Sequence, residues 1–210
     1  AVSENILEPV VTQYDKRVHY LKYNLAGLLR KGQNVLAVVL GTGWYNNHSH
    51  IGWQFNCANW RDNPKLLCEL FADDKCLLKS DLDWKVTTDG PIVYDSLRNG
   101  ESYDARLEMP GWNDIGFDDS AWKNAVQVAP PPGILQQQEV EPIKVFQEYE
   151  PCASKKLPDG IVYDFPLNIA GWCKLQVKGE KGAKISLIYG ELKSENGDLD
   201  IENISYNNYS

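Results

Sequence analysis

The carboxylates are the first residues to test for chemistry. Glu101 with Asp104, and Asp118 with Asp119, are the pairs a glycosidase reading would use, and such pairs stand about 5 to 9.5 Å apart across a sugar-sized cleft. Asp118 and Asp119 are sequence neighbours ahead of Ser120, a setting in which Asp caps backbone N–H groups. Histidines come next. His48 and His50 sit at i, i+2, and His19 lies apart from them. None has a nearby Cys or paired carboxylate, so a zinc site is not expected. Sugar binding fits the residue types better. Asn99, Glu101, Asp104 and Arg106 can bind hydroxyls, and Trp44, Tyr45, Trp53 and Trp112 offer ring faces, the usual make-up of a small-ligand pocket. Each Trp is equally suited to core packing. Asp104 and Arg106 would lie about 7 Å apart on one face of a strand, able to pair with each other or to hold one polar ligand. A hard cation such as calcium is another occupant for oxygen ligands, although six to eight of them are needed.

The elements that must position these residues are strands. Gly100 suits a positive φ and opens a tight turn, after which Tyr103, Ala105 and Leu107 fall on one face and Ser102, Asp104, Arg106 and Glu108 on the other. Alternation over 16–24, a turn at 26–29 and an apolar run at 35–40, read as a buried strand, precede the aromatic loop 41–60. Runs 66–72 and 76–80 flank Asp73-Asp74-Lys75 as a hairpin, and 84–88 adds a strand. Pro130, Pro131 and Pro132 form a stiff connector and mark the boundary between a domain over 1–129 and another over 134–210. Strands follow at 143–148, 161–165, 172–177 and 184–189, with a turn at 179–182. No long segment has the helical period, so the chain is all-β, with two antiparallel β-sandwich (jelly-roll-like) domains.

Composition excludes several partners. With 43% hydrophobic and 24% charged residues the chain is ordinary for a globular protein, and its net charge of −8 repels phosphate backbones. Neither nucleic acid nor membrane is an expected partner; no run approaches the roughly 18 apolar residues of a membrane span. The five cysteines lack Cys-x-x-Cys spacing, and Cys68 and Cys76 read as small core residues.

Gly100-Glu101-Ser102-Tyr103-Asp104-Ala105-Arg106, then Gly111-Trp112 and Phe117-Asp118-Asp119-Ser120-Ala121-Trp122, together resemble the N-terminal region of bacterial α-L-rhamnosidases. Leu7-Glu8-Pro9, Gly32-Gln33-Asn34, Gly41-Thr42-Gly43-Trp44-Tyr45, Asp83-Trp84 and Gly90-Pro91-Ile92 extend the resemblance. Asp164, Asn168, Gly171-Trp172 and Tyr189-Gly190-Glu191 resemble the sandwich that follows in that family. The resemblance implies the non-catalytic front of a longer, periplasmic or secreted enzyme, truncated at both ends here. It also implies that hydrolysis belongs to a helical barrel further along the same polypeptide, so this chain alone is expected to be inactive. Its expected partners are rhamnose-containing glycans and that catalytic domain. The rival readings are a purely architectural role, packing on the barrel and shaping its cleft, and an independent small glycosidase.

Overall fold

The computed structural model describes residues 1–49 and 54–202. Its regular elements are short strands and two 3-10 turns: β1 (Asn5–Ile6), β2 (Arg17–Tyr20), β3 (Glu69–Ala72), β4 (Lys75–Lys79), β5 (Lys85–Val86), β6 (Ile92–Ser96) and β7 (Gly100–Tyr103). They continue with β8 (Lys123–Asn124), β9 (Ile134–Gln137), β10 (Ile143–Lys144), β11 (Ala153–Leu157), β12 (Gly160–Asp164), β13 (Leu192–Lys193) and β14 (Leu199–Asp200). The fold is all-β, as the absence of a helical period predicts. Antiparallel pairs are β1–β10, β3–β4, β5–β8, β6–β7, β11–β12 and β13–β14, whereas β2 runs parallel to β9.

Two compact units divide the chain, Ala1–Lys144 and a second that begins at Val145. The division between these units lies beyond the triproline stretch. Gly133 shows why. Its N–H donates to Tyr14 O (3.1 Å), Ile134 N–H donates to Lys16 O (3.1 Å), and β9 pairs with β2 from Arg17↔Ile134 to Tyr20↔Gln137. A stiff proline run leads the chain straight back onto the first unit.

Within the first unit the hairpin β3–β4 forms where the apolar runs and the Asp73-Asp74 turn predict it, with Asp73 at φ +50°, a conformation that Asp tolerates. Its Cys76 is exposed rather than a core residue, and Cys68 is half-buried. All five thiols are free. The run 35–40 is also exposed, Val39 by 67%, and forms no strand. An apolar run specifies a strand only if a partner edge receives it on both faces, and here none pairs with it. No hydrophobic residue among the described residues is buried, whereas Asn47, Ser49 and Ser96 are. Half-buried rings pack in a chain: Trp44 edge-on to Phe55 (5.3 Å), Phe55 to Trp60 (6.1 Å), Trp60 to Tyr14 (6.2 Å) and Tyr14 edge-on to Tyr45 (5.1 Å).

In the second unit β11 and β12 form a hairpin, of which only the second strand was expected, and Lys193 bonds Asp164 at 2.8 Å. The strands expected at 172–177 and 184–189 are not formed. The turn between them is, with Ala183 N–H donating to Glu180 O (3.0 Å), and Cys173 N–H reaches Tyr189 Oη (3.4 Å).

Candidate functional site

The hairpin β6–β7 and the loop that begins at Gly41 meet at a polar junction. Gly100, at φ +86°, takes the left-handed conformation its lack of Cβ allows, and Ser96 Oγ accepts from Arg98 N–H and Asn99 N–H, closing the turn. Asp95 stands directly across from Glu101. Like charges in that position repel, and Asp95 turns to the loop instead. Thr42 N–H donates to its Oδ2 (2.8 Å) and Thr42 Oγ1 to its Oδ1 (2.5 Å). One residue earlier, the Tyr94 hydroxyl accepts from Asn99 Nδ2 (3.3 Å) and bonds His48 Nε2 (3.3 Å), and the His48 ring stands edge-on to Tyr94 at 5.6 Å. Asn47 Oδ1 accepts from Ser49 N–H and Ser49 Oγ, fixing the loop beside His48. Thr42, His48, Tyr94 and Asp95 were absent from the sequence-derived site. The signal available for Asp95 was its charge opposite Glu101 in the strand register.

Asp104 lies elsewhere. The strand ends at Tyr103, and Asp104 caps a 3-10 turn, Ala105–Leu107, accepting from Arg106 N–H at 3.0 Å. The alternating face expected for Ser102, Asp104, Arg106 and Glu108 is therefore broken: a short acceptor beside free N–H groups wins over strand continuation. Arg106 Nε and Nη2 fork onto both carboxylate oxygens (2.8 and 2.5 Å). That fork, with the backbone N–H, holds the Asp104 carboxyl down at about 2 and pushes the Arg106 guanidinium up. The pair is open to solvent, with 25% of the Asp104 and 61% of the Arg106 side chain exposed. Asn99 and Asp104 stand at opposite ends of β7, roughly 15 Å apart at the rise of a strand, so the four polar residues do not converge on one ligand.

The remaining candidates separate similarly. Glu101 is exposed on β7. Trp44 packs on Phe55 within the ring chain. Trp112 is half-buried in the turn where its N–H donates to Met109 O (3.1 Å). Trp53 and His50 lie outside the described residues. Asp118 accepts from Ser120 N–H (3.0 Å); the Ser120 side chain and then that N–H lower its carboxyl, and Phe117 packs on Trp122 at 5.6 Å. The Asp118-Asp119 turn is thus built by capping. Among the described residues no three His, Cys, Asp or Glu side chains gather as a metal site, and no helix is long and apolar enough to cross a membrane.

The family profile described as the α-L-rhamnosidase N-terminal domain matches residues 1–147, and that of the bacterial α-L-rhamnosidase concanavalin-like domain matches 154–210. The chain belongs to the α-L-rhamnosidase family. An α-L-rhamnosidase of Formosa agariphila is 35% identical over 205 residues, 93% of this chain and 21% of the relative. One of Streptomyces avermitilis is 33% identical over 97% of the chain and 20% of the relative. Among solved structures, the native α-L-rhamnosidase of Aspergillus terreus superposes with a TM-score of 0.80 at 29% identity, covering 95% of this chain and 23% of that one. The Streptomyces avermitilis α-L-rhamnosidase complexed with L-rhamnose gives 0.58 at 30% identity, covering 73% and 15%. The chain spans about a fifth of the curated rhamnosidases it matches. It corresponds to their N-terminal region, and the concanavalin-like match assigns the second unit to the β-sandwich class. The two profiles leave 148–153 between them, a few residues beyond the division at Lys144 that separates the two compact units.

Proposed function

We propose that the chain is the non-catalytic front of an α-L-rhamnosidase and takes part in recognising rhamnose-containing glycans, with the catalytic domain of the same polypeptide performing hydrolysis. The observation that carries this is the junction of loop and hairpin, where Asn99, bonded to Tyr94 and through it to His48, stands beside exposed Glu101. Amide, carboxylate, hydroxyl and imidazole are the polar groups that sugar hydroxyls bind, on a backbone fixed by the Thr42–Asp95 contacts. The L-rhamnose complex of the Streptomyces avermitilis enzyme supports the ligand class. Calorimetric titration with L-rhamnose and a rhamnosylated oligosaccharide is expected to show weak binding, micromolar to millimolar (about −4 to −8 kcal/mol), lost in Asn99→Ala and Glu101→Ala. Repeating it with a calcium chelator asks whether a cation is required.

The architectural reading has its own support. Asp104 and Arg106 satisfy each other, and Trp44 is committed to Phe55. Absence of heat with every rhamnoside would make packing against the catalytic domain the surviving role.

A further inference from the structure

The turn before β2 and the first residues of that strand wall a pocket of about 310 Å³ with valine sides and a polar lining of Thr12, Gln13, Lys16, Arg17 and His19. Arg17 and His19 are two apart on a strand, so their side chains share a face. Both have bonding capacity to spare. Nδ1 of His19 is buried with no hydrogen-bond partner among the described residues, which costs free energy until something binds it. Arg17 takes part in none of the ion pairs among the described residues, and Lys16 reaches only Asp15, at 3.9 Å.

The wall is rigid. Gln13 O accepts from Lys16 N–H and Arg17 N–H (2.8 and 2.9 Å), Thr12 Oγ1 donates to Arg17 O (2.5 Å), and β9 pairs along the whole of β2. No carboxylate lines the pocket. Asp15 directs Oδ2 to Asn59 and Lys16, and Glu139 and Glu141 flank the lining Val140 without lining it themselves. In a chain of net charge −8 a pocket lined by Lys16 and Arg17 without a carboxylate is a local exception, and screening over about 8 Å leaves the nearest charges in control.

We propose that this pocket binds a small oxyanion, a carboxylate or sulfate group, with the Arg17 guanidinium as the fork and His19 in the wall beside it. Arg matches such planar or tetrahedral acceptors through paired N–H groups. The site is separate from the junction on β6–β7, and its occupancy does not depend on rhamnose binding there.

Two anions are to be titrated into the chain at constant ionic strength, sodium sulfate and sodium glucuronate, with glucose as the neutral control. The expected result is saturable binding of at least one anion, none of glucose, and shifts centred on the Arg17 and His19 amides in NMR spectra. Sulfate binding marks a site for free or esterified oxyanions, and glucuronate binding without sulfate marks one for a sugar carboxylate. Arg17→Gln, at an exposed position whose strand pairing it keeps, is expected to weaken binding by roughly tenfold or more. His19→Gln should act similarly, with thermal melts confirming that both variants fold. Lack of saturation with either anion, or affinity unchanged in Arg17→Gln, would overturn the proposal.

Discussion

Asp104 answers to its own turn. Its folded carboxyl lies at about 2 against an ordinary 3.8, because Arg106 supplies both a forked guanidinium and a backbone N–H. A depressed carboxyl contributes stability above its unfolded value and loses it as pH falls toward the folded one. Thermal melts of wild type and Asp104→Asn are therefore expected to differ at pH 5 and to approach each other as pH falls through about 2. The difference should be small and should shrink in high salt, since the pair is exposed. A large melting loss, as for a buried pair, is not expected from Asp104→Ala. Asp95 is the more consequential acid. It satisfies Thr42 N–H and Thr42 Oγ1 at part-buried positions, so Asp95→Ala should cost about 1–3 kcal/mol in urea unfolding. Asp95→Asn, which keeps one acceptor, should cost less. Equal stability of all three proteins would show that the loop is not anchored there.

Among the elements, the pairing of β2 with β9 depends on a single missing side chain. A Cβ on Gly133 would stand 2.5 Å from both Arg17 N and Tyr14 O, and these are backbone atoms that cannot swing aside. Gly133→Ala is expected to destabilise the first unit by about 1–3 kcal/mol and to speed hydrogen exchange at the paired amides of β2 and β9. Gly160→Ala, where a Cβ meets nothing within 4 Å, is the control and should stay within about 0.5 kcal/mol. If the two substitutions cost the same, the close approach at Gly133 is not what holds β9. Hairpin β3–β4 formed where turn residues and flanking apolar runs coincide, because both signals are local. Segments 35–40, 172–177 and 184–189 had the apolar run without a partner edge, and no strand formed.

For the molecule as a whole, the division after Lys144 sets where the chain is vulnerable. Phe146 is 90% exposed just beyond it, whereas Pro130 to Pro132 lead into a strand held by β2. Brief digestion with a protease of broad specificity should cut first near Phe146 and leave a first fragment of Ala1–Lys144 or slightly longer, read by mass spectrometry. First cuts between Pro130 and Gly133 would restore the earlier boundary. Net charge belongs to this scale too. At −8 the chain should not bind heparin or anionic vesicles through its overall field, so any anion affinity has to be local.

Local chemistry reached far in this chain. The lack of a helical period excluded helical folds, Gly100 and the Asp73-Asp74 pair marked turns, and closely spaced motifs from Leu7 to Trp122 carried the family, since each depends on residues within a few positions. Contacts between distant segments were beyond such reasoning. Thr42 and Asp95 are 53 positions apart, and β9 meets β2 across more than a hundred residues, in parallel rather than antiparallel. The tertiary structure alone placed the triproline stretch inside the first unit, joined Thr42 to Asp95 on the β6–β7 hairpin and left Arg17 and His19 lining one pocket. Each of these outcomes depends on which backbone edge was free to pair, a quantity that no run of residues encodes by itself.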